Sequence, residues 1–201
     1  MSNIELLLKK AQETNSKESY AEIGDIYFYG KDIPKDMSQA VVYYKKAADL
    51  GSVYGMERIG LMHYKGYGVA QNNKLAKRYL QTAANQGSIQ ALVDLGWMCY
   101  NGDYGFFASK GKAFELWLKA SKRGNTEAQI YVATSYLGDD WDEEKSYRKA
   151  AFWFMCAYQN RKATNNQIGE AKAKLDMLAR YVNLNDVKDE IVRKYSEYLN
   201  L

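Results

Sequence analysis

Two Ser-x-x-Lys tetrads are the residues whose types and spacing most directly suggest catalysis. They run from Ser109 to Lys112 and from Ser146 to Lys149. This spacing places a serine nucleophile near a lysine in penicillin-recognising enzymes, which also need Ser-Asp-Asn and Lys-Thr-Gly elements. The chain has neither element, and about one such tetrad is expected by chance among its 11 serines and 21 lysines. We therefore predict no catalytic residues and no enzymatic activity.

Metal-ligating side chains are scarce in the chain. It has one histidine, His63, and two cysteines, Cys99 and Cys156, which are far apart in sequence. The acidic segment 139–144 lacks the alternating oxygen ligands and central glycine of a calcium loop. We expect a solvated loop that leads into a helix N-terminus, where carboxylates are favoured; whether it contacts a partner stays open. The sequence predicts no metal site and no cofactor.

Composition and charge narrow the possible partners and compartments. The 201 residues are 47% hydrophobic and 26% charged, and the net charge of +4 is scattered along the chain. A nucleic-acid partner would call for a clustered basic stripe, so none is predicted. No apolar run approaches the length of about 18 residues that spans a membrane. The N-terminus lacks the features of a signal peptide, so we expect a cytoplasmic protein.

Small residues recur at a fixed period along the chain. One series stands 36, 36 and 37 residues apart, and two others keep this period within one residue. The first series is Gly24, Gly60, Gly96 and Ala133; the second is Ala40, Ala76, Ala113 and Ala150; the third is Gly51, Gly87 and Gly124, with Arg161 in place of a small residue at the fourth position. A period of this length is typical of stacked helix-turn-helix repeats.

Each repeat is predicted to contain two helices separated by glycine-rich turns. Gly51 suits the left-handed position that ends a helix, and Ser52 can then cap the next one; Gly87-Ser88 and Gly124-Asn125 repeat the pattern. The predicted first helices are 17–29, 53–65, 89–101 and 126–138; the predicted second helices are 37–50, 73–86, 110–123 and 145–160. The small residues are expected to let paired helices approach closely, with Gly24 facing Ala47 and Gly60 facing Ala83.

The ends of the chain are predicted to cap the repeats. Residues 1–15 form one capping helix that begins after a capping box at Ser2 to Glu5. Residues 16–161 hold four repeats, and residues 162–201 form closing helices, the last of them capped by Asn185. The predicted fold is all-α: a right-handed α/α superhelix, or solenoid, of about four helix-turn-helix repeats with helical caps at both ends. We expect residues 1–201 to form one domain, because a solenoid has one continuous body.

The repeat unit resembles the Sel1-like repeat, a relative of the tetratricopeptide repeat. Residues 56–87 match its pattern most fully, with Ile59-Gly60, Gly66, Gly68-Val69, Ala76, Tyr79, Ala83-Ala84 and Gly87. Residues 20–51 and 92–124 keep most of the pattern, whereas the fourth unit keeps little of it. His63 and Cys99 stand where the family usually has Tyr, so we expect both in the core.

The resemblance implies a non-catalytic scaffold or adaptor that binds a protein or peptide on its concave surface. The alternative that it implies is a cytoplasmic immunity protein that neutralises a cognate bacterial toxin or effector. A further alternative is a β-lactam-type hydrolase, as in a secreted cysteine-rich branch of the family. That branch has a disulfide within each repeat, whereas no repeat here has two cysteines. We favour a bacterial protein that is a monomer.

By analogy with tetratricopeptide arrays, three positions of each first helix are expected to line the concave surface and bind the partner. They form a ladder that is unusually apolar and aromatic, as interface hot spots are. Packing within the core is the alternative for the same residues. The predicted partner-binding residues are Asp25, Phe28, Glu57, Leu61, Tyr64, Val93, Trp97, Tyr100, Ile130, Thr134 and Leu137.

Overall fold

A computed structural model describes residues 3–102, 108–138 and 143–194 of the chain. Within these ranges the regular structure is entirely α-helical, which confirms the predicted all-α helical repeat architecture. The helices are α1 (Asn3–Thr14), α2 (Lys17–Tyr29), α3 (Met37–Asp49), α4 (Val53–Lys65), α5 (Asn73–Asn85), α6 (Ile89–Asn101), α7 (Lys110–Lys122), α8 (Thr126–Ser135), α9 (Glu143–Gln159), α10 (Asn165–Leu178) and α11 (Leu184–Lys194). They group into two compact units, Met1–Ala108 and Ser109–Leu201.

The helices of the first unit pack in chain order, each against the next, from α1 to α6. Its core includes two clusters of buried side chains among the described residues. One cluster comprises Ala11, Tyr20, Ala21, Ile23 and Ala47 from α1, α2 and α3. The other comprises Ala40, Tyr44, Ala48, Ile59 and Met62 from α3 and α4. The short connections make successive helices antiparallel, so α2, α4 and α6 run in one direction.

The predicted stop and start signals between repeats are confirmed. Gly51 has a φ of +82°, and the Ser52 side chain accepts a hydrogen bond from the Gly55 N–H at 3.0 Å. Ser88 and Asn125 cap α6 and α8 in the same way, after Gly87 and Gly124. Because a left-handed glycine and a capping hydroxyl or amide satisfy different helix ends, one dipeptide ends a helix and begins the next.

The expected pairing of Gly24 with Ala47 is wrong in detail. A Cβ placed on Gly24 would lie 2.6 Å from the ring of Tyr44, and one on Gly60 would lie 2.9 Å from Cγ of Leu80. These positions are equivalent in the two repeats, three residues before the expected alanines. The glycines therefore make room for a large side chain of the second helix to lie on the first helix, and Ala47 packs in the core around α2.

In the second unit, α7 packs on α8, α8 on α9, and both α10 and α11 on α9. Helix α8 ends at Ser135, three residues before its predicted end at 138. Helix α11 begins at Leu184, before the predicted cap Asn185; the Asn183 carboxamide instead accepts a hydrogen bond from the Asn185 N–H at 3.0 Å. The buried residues Val187 and Ile191 give α11 an apolar side, as the sequence predicts.

Candidate functional site

A pocket of 340 Å³ lies between the first helices of two successive repeats, α4 and α6. We call it the α4–α6 pocket. It brings together three of the predicted binding residues, Leu61, Tyr64 and Trp97. Its other lining residues are Lys65, Asp94 and Asn101. The wall therefore combines an aliphatic and two aromatic side chains with an ammonium, a carboxylate and an amide group.

The lining residues share one face of each helix. On α6, Asp94, Trp97 and Asn101 follow at spacings of three and four residues, which keeps them on one side of an α-helix. On α4, Leu61 and Lys65 are four residues apart, and they are the repeat equivalents of Trp97 and Asn101. Because α4 and α6 run in the same direction, the equivalent residues stand side by side along the pocket.

Hydrogen bonds join the two helices at the pocket and also nearer their N-terminal ends. Near the C-terminal ends, the Asn101 side-chain amide donates to the Tyr64 hydroxyl oxygen at 3.1 Å. Near the N-terminal ends, the hydroxyl of the cap residue Ser88 donates to the Glu57 carboxylate at 2.7 Å. Burial raises the pKa of Glu57, and the bond from Ser88 partly offsets this effect. These bonds link α4 and α6 directly, in addition to the packing of both helices on α5.

The polar residues of the pocket are themselves held by neighbours. The Gln90 amide donates to Asp94 Oδ1 at 3.3 Å, one turn before it on α6. The Lys65 ammonium lies 4.7 Å from the centre of the Tyr64 ring, a cation–π distance. The Trp97 and Tyr100 rings meet edge to face at 5.6 Å. Each of these contacts is therefore made within the helix that carries the pocket residue.

A second group, which we call the Arg58 cluster, surrounds Arg58 on α2, α3 and α4. The Arg58 guanidinium lies 4.3 Å from the centre of the Phe28 ring, and Arg58 Nε donates to the Tyr44 hydroxyl oxygen at 3.3 Å. The hydroxyls of Tyr44 and Tyr54 donate to Asp25 Oδ1 at 2.6 and 2.8 Å. Burial, followed by the bond to Asp25, raises the pKa of both tyrosines. Asp25 and Phe28 therefore take part in a packed polar network.

The other predicted binding residues have varied surroundings. In the first unit, Val93 is fully buried, Glu57 is half-buried, and Tyr100 is 45% exposed. In the second unit, Ile130 is buried, Thr134 is exposed and Leu137 is half-buried. The position of Val93 and Ile130 in the first helix therefore faces the interior in both units.

Several residues that were considered for catalysis and metal binding make structural contacts, and part of the acidic segment lies outside the described residues. Ser109 caps α7, and its hydroxyl oxygen accepts a hydrogen bond from the Lys112 N–H at 3.2 Å. His63 stacks on Tyr79 in nearly parallel planes, with ring centres 6.3 Å apart. Cys99, which was expected in the core, and Cys156 are both buried cysteines. Of the acidic segment, residues 139–142 lie outside the described residues.

Metal-binding clusters and membrane-spanning helices are both absent from the described residues. Among residues 3–102, 108–138 and 143–194, no group of three or more His, Cys, Asp or Glu side chains could hold a metal ion. Over the same ranges, every helix is too short or too polar to cross a membrane.

Sequence reasoning missed Arg58, Lys65, Asp94 and Asn101. Each stands one residue after a position that the tetratricopeptide analogy selected. Helical spacing within the repeat is the signal that could have found them. Asp94, Trp97 and Asn101 lie on one face of a helix, whereas the tetratricopeptide analogy selects only Trp97 of the three.

The chain belongs to the Sel1 repeat family. The family model matches residues 17–52, 53–88, 89–125 and 126–160, so four consecutive repeats cover most of the chain. These boundaries agree with the period of 36 to 37 residues in the sequence. A search of curated proteins found no match.

Solved structures show the same fold. The chain is 28% identical to c5321, a protective antigen present in uropathogenic Escherichia coli strains, with a TM-score of 0.69 over 81% of this chain and 34% of that one. The chain thus matches about a third of that structure. It is 26% identical to a Sel1 repeat protein from Oxalobacter formigenes, with a TM-score of 0.68 over 82% of this chain and 67% of that one. It is 18% identical to immunity protein Pa5087 from Pseudomonas aeruginosa, with a TM-score of 0.55 over 87% of this chain and 73% of that one. This likeness concerns the fold alone.

Proposed function

We propose that the protein is a non-catalytic interaction scaffold and that the α4–α6 pocket binds a segment of a protein partner. Membership of the Sel1 repeat family suggests a scaffold of this class. The observation that carries the proposal is the meeting of Leu61, Tyr64 and Trp97 in one pocket formed by two successive repeats. Aromatic side chains held in a concave surface are typical anchors of protein interfaces.

The size and chemistry of the pocket fit a peptide segment. A volume of 340 Å³ is at the lower end of the range for ligand pockets, enough for one large side chain and its flanking backbone. The Asn101 amide and the charged groups of Lys65 and Asp94 lie beside the apolar wall, where they can hydrogen-bond peptide groups. An immunity protein that neutralises a toxin is one member of this class, and it remains the alternative.

A peptide library displayed on phage tests the proposal with the whole folded chain as bait. The wild-type chain should enrich peptides that share an apolar or aromatic anchor. Trp97→Ala should lose these peptides because it removes the largest wall of the pocket. Tyr158→Ala on α9 is the control, since Tyr158 is an aromatic side chain that is 40% exposed and belongs to the other unit.

The variants must first be shown to fold, by far-UV circular dichroism and thermal unfolding. Enrichment of the same peptides by the wild-type chain and folded Trp97→Ala would refute the proposed site. Equal loss in Trp97→Ala and Tyr158→Ala would refute it too, since binding would then not depend on this pocket.

A further inference from the structure

The pocket carries opposite charges toward its two ends. Asp94 lies one turn before Trp97 on α6, and Asn101 lies one turn after it. The separation of seven positions between Asp94 and Asn101 corresponds to about 10 Å along the helix axis. Lys65 is the repeat equivalent of Asn101 and lines the same pocket, so it belongs to the Asn101 end.

The apolar side chains lie between these ends. Leu61 and Trp97 are equivalent residues of the two repeats and stand midway along the pocket. The side-chain amide of Asn101 joins Lys65 as a hydrogen-bond donor at one end, whereas the Asp94 carboxylate is an acceptor at the other. A carboxylate has sites for several hydrogen bonds, so the bond from Gln90 is compatible with a further donor.

Resting on the proposed function, we infer that the partner segment has a basic and an acidic side chain in a fixed order on either side of an apolar anchor. The basic group would meet Asp94, the anchor would lie on Trp97, and the acidic group would meet Lys65 and Asn101. An extended chain advances about 3.3 Å per residue, so the two charges would stand about three residues apart. Charge complementarity of this kind selects the orientation of a partner more strongly than it raises affinity.

Charge variants in the same phage selection test the inference. The wild-type chain should enrich an apolar anchor with the two opposite charges in one order. Asp94→Asn should lose only the preference for the basic residue, and Lys65→Gln only the preference for the acidic one. The double variant Asp94→Lys with Lys65→Glu should enrich the opposite order. Asp49→Asn on α3 is the control, since Asp49 is exposed and outside the pocket.

Synthetic peptides measure the size of the effect. A blocked peptide with the order lysine, phenylalanine, glycine, glutamate, and one with the two charges exchanged, would be titrated by fluorescence anisotropy. The two affinities for the wild-type chain should differ by about fivefold, because the exchange removes two partly exposed charge pairs that each contribute about twofold. The charge-exchanged double variant should invert the preference.

The outcomes separate the two proposals. Anchored peptides that require Trp97 but show no charge order, or an order that the double variant does not invert, would overturn this inference and leave the proposed function standing. Absence of any enrichment that requires Trp97 would overturn both. If the double variant does not fold, the two single neutral variants decide, since each predicts loss of one charge preference and retention of the other.

Discussion

Substitution of two glycines in the turn after α4 should separate backbone strain from steric contact. Gly66 and Gly68 both have left-handed backbones, with φ of +71° and +66°. A Cβ on Gly66 would meet nothing closer than 3.5 Å. A Cβ on Gly68 would lie 2.3 Å from the carbonyl carbon and oxygen of Met37, the first residue of α3. The two positions therefore share the same conformation but differ in available space.

The expected losses in the free energy of unfolding follow from the backbone conformation and these contacts. A left-handed alanine is disfavoured by roughly 1–2 kcal/mol, and reduced freedom of the unfolded chain offsets about 0.4–1 kcal/mol. Gly66→Ala should therefore lower the free energy of unfolding by about 1 kcal/mol. At Gly68 the new methyl group would overlap main-chain atoms by more than 1 Å relative to the usual separation of about 3.5 Å. Overpacking of this kind adds about 1–3 kcal/mol, so Gly68→Ala should lower stability by about 3 kcal/mol.

Urea unfolding followed by far-UV circular dichroism measures both values. Gly169→Ala is the control, because Gly169 lies inside α10 with no atom near its missing Cβ. It should raise stability by about 0.5–1 kcal/mol through helix propensity. Equal losses for Gly66→Ala and Gly68→Ala, within about 0.5 kcal/mol, would refute the contact between this turn and α3.

Three further predictions concern single side chains. His63→Phe should stabilise the protein by about 1 kcal/mol, because the buried Nδ1 of His63 has no hydrogen-bond partner; a lower melting temperature would contradict this. A double-mutant cycle of Tyr64→Phe and Asn101→Ala should give a coupling of about 0.5–1.5 kcal/mol in urea unfolding, and zero coupling would rule out their bond. The hydrogen bond from Lys194 lowers the pKa of Glu190, so its contribution is present above the ordinary carboxyl pKa of about 4.3 and is lost as the pH falls through the lower folded value. Glu190→Gln should therefore flatten the acid side of the stability curve, and parallel curves for variant and wild type would disprove it.

Much of the fold could be predicted because its signals are local. Ser52, Ser88 and Asn125 mark helix starts through bonds to groups three residues away, and the period places each helix within a few residues. The predicted end of α8 at residue 138 is wrong because Tyr136 and Leu137 continue the apolar pattern after the helix has ended at Ser135. Apolar periodicity indicates partial or full burial, and half-buried turn residues satisfy it as well as helical ones do.

The candidate site was less predictable because its polar members depend on contacts between repeats. Leu61 and Trp97 could be selected by analogy with related repeats. Lys65 and Asp94 look like ordinary solvent-facing charges of a helix, and only the neighbouring repeat places them beside one pocket. Arg58 is similar: its contacts with Phe28 come from another helix and span many residues of the chain.

The hydrogen bonds that join α4 and α6 have a kinetic consequence. Tyr64 with Asn101, and Glu57 with Ser88, link the two helices before any ligand arrives, and both helices also pack on α5. A segment that enters such a pocket has to order few groups of the protein, so the pocket need not close before or after binding. Association should then proceed in one phase at about 10⁵–10⁷ M⁻¹s⁻¹, and partners of different affinity should differ mainly in how long they stay bound.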